Sequence, residues 1–134
     1  MNEKTKRLMH KQKEGIFNSL QTHFTLPVFE DEMAEDEEKQ LDKKGYNCFI
    51  FETSEFQTTE DIKKLKQNIY VSYYSENKDD VDETTIDIIS VLTPIKGVTF
   101  SSSKKERLQM KETDRFIDRV RLTFTRVIPI EYQV

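Results

Sequence analysis

The fold is indicated most clearly by the stretch Phe116-Ile-Asp-Arg-Val-Arg-Leu-Thr-Phe-Thr-Arg-Val-Ile-Pro129. Within it Val120, Leu122 and Phe124 alternate with polar residues, and this period of two is typical of a β-strand with one buried face. Ile128 keeps the same phase, whereas Arg126 interrupts it, so we expect a bulge or a strand end at Arg126. An average strand has only ~5–6 residues, so this stretch predicts an unusually long C-terminal strand.

The elements before that strand follow from periodicity and turn residues. We predict helices over 3–23 and 82–92, and strands over 26–29, 46–52, 67–75 and 98–103. The first helix has an apolar stripe that runs through Ile16 and Leu20, and the second has a core face of Ile86, Ile89 and Leu92. Residues 58–65 fit either a short helical turn or a loop. The chain is therefore predicted to be one α+β domain over 1–134, of order α-β-β-β-α-β-β, with two helices on one face of an antiparallel or mixed sheet.

Composition limits the functional classes. The 134 residues suit one domain, and 34% of them are charged, above the usual ~25%. The net charge of −4 does not favour nucleic acid as a partner. Cys48 is the single cysteine, so no disulfide can form within the chain. We find no signal-peptide pattern and no apolar run long enough to span a bilayer, so we expect synthesis in the cytoplasm and no membrane partner.

Residues that could support catalysis are few. No phosphate-binding glycine loop, nucleophile elbow or zinc motif is present. His10 and His23 are thirteen positions apart, which is not a ligand spacing on one helix, and we interpret both as surface residues. Cys48 could be a nucleophile only beside a base, but its apolar strand favours a small buried thiol. We predict no enzyme activity, no cofactor and no metal site.

An acidic run follows the first predicted strand. It contains seven carboxylates within nine positions, namely Glu30, Asp31, Glu32, Glu35, Asp36, Glu37 and Glu38. Self-repulsion predicts a solvated, mobile loop over 30–44. Weak cation binding is the alternative, although the run lacks the glycine and the spacing of a calcium loop.

The C-terminal third is locally basic, through residues that include Arg115, Arg119, Arg121 and Arg126. Three interpretations remain open: a solvated sheet face, a subunit interface that pairs this basic surface with an acidic one, or a nucleic-acid contact. An acidic loop and a basic strand in one chain suit head-to-tail self-association. The predicted interface therefore consists of these four arginines and the seven acids of the run.

Three quoted segments also support a resemblance to a family. They are Asp82-Glu-Thr-Thr-Ile-Asp-Ile-Ile-Ser-Val-Leu92, Gly97-Val-Thr-Phe100 and Arg115-Phe-Ile-Asp-Arg-Val-Arg-Leu-Thr-Phe-Thr-Arg126. With the charged first helix, they resemble the tail terminator, or tail completion (tail-to-head joining), proteins of long-tailed, non-contractile bacteriophages such as lambda. The resemblance extends from Met1 to about Ile128 and is one of pattern.

The resemblance implies a structural protein of the virion. It implies a ring, hexameric in the virion and weakly associated or monomeric when isolated, that caps the completed tail tube and joins the tail to the head connector. The implied partners are the tail tube protein and the head connector protein, and the family has no known catalytic residues. The alternatives are another head–tail connector or neck component, and a small nucleic-acid-binding regulatory protein of a mobile element.

Overall fold

A computed structural model of the chain describes residues 1–32, 38–39, 45–109 and 114–131. Its helices and strands with defined bounds are α1 (Glu3–Phe24), β1 (Val28–Glu30), β2 (Cys48–Thr58), β3 (Lys64–Glu76), α2 (Val81–Leu92), β4 (Val98–Gln109) and β5 (Phe116–Pro129). The predicted α+β class, the element order and the long C-terminal strand are confirmed. No helix within the described ranges has the length and apolar character that crossing a membrane requires.

The five strands of the described chain form one mixed sheet of order β1-β2-β3-β5-β4. β1 is parallel to β2, and the other neighbouring strands are antiparallel. β5 lies between β3 and β4, and its pairing with β3 runs without interruption from Lys64–Pro129 to Glu76–Ile117. The long C-terminal strand is therefore an inner strand. Its alternation of apolar and polar residues follows from the core that lies on one face of the sheet.

The hydrophobic core lies between one face of the sheet and the two helices. Val120, Leu122 and Phe124 of β5 are at most 2% exposed, as their period of two predicts. The helices contribute residues that are fully buried in the same cluster, among them Ile16 and Leu20 of α1 and Ile88 and Leu92 of α2. Burial of such side chains supplies roughly 25 cal/mol per Å² of apolar surface, which is the main stabilising contribution to a domain of this size.

The core face of α2 differs from the prediction at one residue. Ile86 is 63% exposed, while Ile88 is fully buried together with Leu92 and Val81. The run Ile-Asp-Ile-Ile fits two overlapping apolar stripes, one through Ile86 and one through Ile88. The stripe through Ile88, which also contains Val81 and Leu92, faces the sheet. Ile86 therefore belongs to the surface of the described structure.

The prediction of a bulge or strand end at Arg126 is wrong. Arg126 pairs in regular register with Gln67 of β3 and Val98 of β4, and the register shift lies instead in β4, between Phe100 and Ser102. Arg126 is on the core face and keeps the phase of its apolar neighbours. A long polar side chain can occupy a buried position when its donors find acceptors there.

Residues 58–65 form the end of β2, a turn and the start of β3. The turn is held by side-chain bonds: the Asp61 N–H donates to Thr59 Oγ1 (3.1 Å), and the Lys63 N–H donates to Asp61 Oδ1 (2.9 Å). The alternative of a loop is the correct one. In the predicted mobile loop over 30–44, residues 33–37 and 40–44 lie outside the described residues, so the mobility of that segment stays a prediction.

Candidate interaction surface

The face of the sheet opposite α1 and α2 carries polar side chains along its centre. We call this side the open face and define it by the polar and tyrosine side chains that point away from the helices: Glu52, Asn68, Tyr70, Ser72, Tyr74, Thr99, Ser102, Lys104, Glu106, Arg119, Arg121, Thr123 and Thr125. Cys48 and Ile117 point to the same side at one end of the sheet and are buried there in a second apolar cluster. Arg119 and Arg121 therefore share a face with Thr123 and Thr125, as their spacing predicts.

Arg121 is exposed on the open face and stacks on an aromatic ring. Its guanidinium carbon lies 3.8 Å from the ring centroid of Tyr70 on the neighbouring strand β3. A guanidinium over a tyrosine face gains roughly 0.5–1 kcal/mol at an exposed site. The stacking holds a cation and an aromatic ring in one geometry at the surface. Arginine and tyrosine are both enriched among the residues that dominate protein interfaces.

Arg119 is part of a half-buried ion pair on the same face. Its Nη2 donates to Glu106 Oε2 of β4 (3.0 Å), and the two residues are directly opposite each other in the ladder. The hydrogen bond with Tyr74 and the pairing with Glu106 raise the pKa of Arg119, and they outweigh its burial. The Arg119 Nε is buried and has no hydrogen-bond partner in the described part of the chain.

Arg115 connects three segments of the chain through its ion pair with Glu76. Its Nε and Nη2 donate to the two carboxylate oxygens of Glu76 at 2.7 and 2.8 Å. Glu76 Oε1 also accepts the Tyr46 N–H (2.7 Å), so the pair connects the start of β5 to the end of β3 and to the residues before β2. The Arg115 guanidinium and the Tyr46 N–H hold the pKa of the Glu76 carboxyl below its usual value despite its burial.

Arg126 is an internal residue and only 5% exposed. Its guanidinium donates to the side-chain oxygens of Gln67 of β3 and Gln12 of α1, at 2.9 Å from Nε to Gln67 and at 3.2 Å from Nη1 to Gln12. Gln12 in turn donates to the Lys96 carbonyl (3.1 Å), and Gln67 donates to the Ser54 carbonyl (2.8 Å). This polar network connects α1, three strands and the α2–β4 turn, so Arg126 is not available to a partner as Arg121 is.

The network also explains a glycine. Gly97 has φ +83°, and a Cβ built on it would lie 2.6 Å from Gln12 Nε2. Gly97 thus allows both the left-handed turn before β4 and the approach of Gln12 to the Lys96 carbonyl. The sequence did contain a signal for the network: Gln12, Gln67 and Arg126 are long polar residues at core-phase positions of three predicted elements.

Glu30, the first acid of the predicted interface, lies at the opposite edge of the sheet from β4. Glu30 ends β1 and forms an ion pair with Lys13 of α1. Asp31, Glu32 and Glu38 are exposed, whereas Glu35, Asp36 and Glu37 lie outside the described residues. Among these described residues, Arg126 lines the same cleft as Glu30 and Asp31, whereas β2 and β3 separate β1 from Arg119 and Arg121 on β5.

Of the residues considered for catalysis, Cys48 lies on the same side of the sheet as Tyr74, in a buried cluster with Tyr46 and Ile117, whereas His10 lies on α1. Cys48 is fully buried, and burial raises the pKa of its thiol to about 12, so the thiol is protonated at neutral pH. His10 lies on the exposed side of α1, 3.0 Å from the Glu14 carboxylate. Among the described residues, no three His, Cys, Asp or Glu side chains form a group that could hold a metal ion.

A scan against protein-family models finds no family that matches this chain, and a search of curated proteins finds no significant relative.

Proposed function

We propose that this protein is a structural subunit of a bacteriophage virion that forms a ring on the completed tail tube and joins the tail to the head connector. One observation supports this proposal most directly: the open face presents Arg121 and Tyr70 in a stacked, exposed pair beside the Arg119–Glu106 ion pair. A cation held in place loses less conformational entropy on binding than a freely rotating one. Such a surface suits a protein partner.

The architecture supports the same proposal. Both helices cover one face of the sheet, and the cluster of Tyr46, Cys48 and Ile117 covers one end of the other, so the rest of the open face and the two outer strands remain for contacts with other subunits. A protein at the head–tail junction needs contacts with neighbouring copies, with the tube below and with the connector above. We assign the open face to one of the latter two partners and the sheet edges to neighbouring copies.

Genetic complementation in a phage that encodes this protein tests the function. Loss of the gene should yield separate heads and tails, with tails unjoined or of irregular length by electron microscopy. Arg121→Glu should reproduce that defect while the purified variant keeps its melting temperature, because Arg121 is exposed. Lys11→Glu, on an exposed position of α1, is the matched control and should complement normally. Normal virions after complete loss of the protein would reject the assembly function.

Charge reversal at Arg119 needs a different experiment, because Arg119→Glu would place a second carboxylate directly opposite Glu106. The double change Arg119→Glu with Glu106→Arg keeps the cross-strand pair and reverses its direction. We expect this variant to fold and to complement poorly if the open face binds a partner. Full complementation would remove the pair from the binding surface.

Two alternative functions remain. Another connector or neck component would have the same size and the same kind of surface, and labelling of the protein in virions distinguishes its position. For nucleic-acid binding, fewer cations are available than the sequence suggests, since Arg115 and Arg119 donate to carboxylates and Arg126 is buried. Salt-dependent binding of DNA at physiological ionic strength would favour that alternative.

A further inference from the structure

We propose that copies of this chain join head to tail through opposite edges of the sheet, with β4 of one copy beside β1 and β2 of the next. The inference deepens the proposed function and rests on it, because it names the surfaces through which the ring would close. The partner at each edge is a second copy of this chain.

Both edges offer backbone for strand pairing. β4 is a 12-residue edge strand, and β5 is its single strand neighbour within the described residues. At the other edge, β1 covers β2 only from Phe49 to Phe51, so β2 from Glu52 onward has β3 as its one described neighbour. An unpaired strand edge is a template for another chain.

The strand layers of the two edges carry different charged side chains. β4 carries exposed Lys104, Lys105 and Arg107, each of which is paired with an acid of its own chain: Glu106, Asp82 and Asp118, respectively. At the β1 edge, Glu30 and the two acids that follow it, Asp31 and Glu32, are exposed. Asp31 and Glu32 of a β1 edge would offer these cations carboxylates of another copy, whereas two β1 edges would repel each other. This favours head-to-tail contact over a symmetric dimer.

The helices also carry charged residues near the two edges, with an acid near the β4 edge and lysines near the β1 edge. Asp82 Oδ1 of α2 lies 3.0 Å from Lys105 Nζ of β4, so this side of α2 faces the β4 edge. Ile86, four residues later on the same side, adds an exposed apolar side chain. At the opposite edge, Lys6 and Lys13 of α1 line a cleft of about 370 Å³ together with Glu30 and Asp31, and Lys13 is paired with Glu30. If two copies lie side by side, Asp82 on α2 of one copy comes close to the lysines on α1 of the next. Lys104 and Lys105 on β4 of the first copy then come close to the acids that end and follow β1 of the second.

β1 and the basic part of β4 also lie at the same level along the strand direction of the sheet. Phe29 pairs with Ile50, Ile50 with Ser72, Ser72 with Arg121, and Arg121 with Lys104. The basic part of β4 therefore lies on the same ladder rows as β1. β1, β2 and β5 run in one direction and β3 and β4 in the other, so β4 beside the next copy's β1 and β2 would form an antiparallel pair.

Disulfide trapping tests this geometry. Glu30 and Ser103 lie on one ladder row and on the same side of the sheet, at opposite edges. Four strand spacings of ~4.8 Å separate them within one copy, which is too far for the ~4.4–6.8 Å between the Cα atoms of a disulfide. In the variant Glu30→Cys with Ser103→Cys, any bond involving both sites therefore joins two copies.

Oxidation of this variant at high protein concentration should give a ladder of dimers, trimers and longer species that ends at the closed ring. Each variant with only one of the two introduced cysteines should give no species beyond a dimer, because the native Cys48 is fully buried. Ser103→Cys with Glu60→Cys is the matched control, because Glu60 is exposed in the β2–β3 turn and shares no ladder row with Ser103. We expect its ladder to be at least tenfold weaker.

The absence of a ladder above the control would overturn the edge pairing. If that result accompanied unjoined heads and tails on loss of the gene, the proposed function would stand and the edge pairing alone would fail. A ladder that closes, in a phage whose virions are normal without the protein, would support the edge pairing and reject the tail function.

Discussion

Single arginines of the C-terminal strand have very different environments although the sequence places them in one basic stretch. Arg121 is exposed and stacked on Tyr70, Arg119 shares a half-buried pair with Glu106, and Arg126 is internal. Burial lowers the pKa of Arg126, and among the described residues its guanidinium has amide rather than carboxylate acceptors. The face of the sheet on which an arginine lies thus decides whether its charge is available to a partner or is used in hydrogen bonds inside the core.

The first prediction concerns Arg126. Arg126→Ala should lower the free energy of unfolding by about 2–4 kcal/mol, because it leaves buried amide oxygens of Gln12 and Gln67 without their donor. Arg121→Ala, on the open face of the same strand, is the control and should cost no more than about 1 kcal/mol. Urea denaturation followed by circular dichroism measures both. Equal effects of the two changes would contradict the internal role of Arg126.

The second prediction concerns pH and Glu76. The folded-state pKa of Glu76 lies below its ordinary value of 4.5, so its contribution to stability is present above about pH 4.5 and is lost as pH falls through the folded-state pKa. Glu76→Gln removes the ion pair with Arg115. The wild type should therefore be more stable than the variant at pH 7, and this difference should shrink below pH 4.5. A difference in unfolding free energy that is constant from pH 7 to pH 3 would exclude the pair as its source.

At the scale of elements, β5 organises the fold. It pairs with β3 on one side and β4 on the other, and its alternate residues supply the centre of the core. α1 and α2 pack on that face, and Gln12 of α1 reaches the strand through Arg126. Few positions on the buried face of β5 can therefore change without affecting both helices.

The third prediction tests that face. Leu122→Asp or Phe124→Asp would bury an unpaired carboxylate, at a cost of several kcal/mol against the ~5–15 kcal/mol by which a domain is usually stable. We expect either variant to be unfolded at 25 °C in a thermal melt. Thr123→Asp lies between them on the open face and should retain a cooperative transition. An unchanged melting temperature of Leu122→Asp would mean that this face is not buried.

At the scale of the whole molecule, charge is divided between the edges of the sheet. Lys104, Lys105 and Arg107 lie at the β4 edge, while Glu30 and Glu32 lie at the β1 edge. The net charge of −4 conceals this division. Isolated surface pairs contribute little to stability, so such charges act more on the choice of partner than on folding.

The fourth prediction uses the division of charge. Lys104→Glu with Lys105→Glu makes both edges acidic, and Glu30→Lys with Glu32→Lys makes both edges basic. Each double variant alone should associate less than the wild type in sedimentation, because its edges repel. An equimolar mixture should recover association, since each acidic β4 edge then meets a basic β1 edge. Mixtures that behave as the sum of the separate variants would contradict contact between unlike edges.

The α+β class, the element order and the buried face of β5 follow from the sequence alone, because hydrophobic periodicity reports local geometry. The alternation of side chains along a strand also puts Arg119 and Arg121 on one face. The folded structure was needed to show that Arg126 is internal, that Ile88 rather than Ile86 faces the core, and that β1 and β4 lie at opposite edges of the sheet. These outcomes depend on contacts between residues far apart in the chain, such as Gln12 with Arg126, and on the strand order that separates β1 from β4. Local periodicity cannot encode the strand order, because the same alternating strand fits an inner or an edge position.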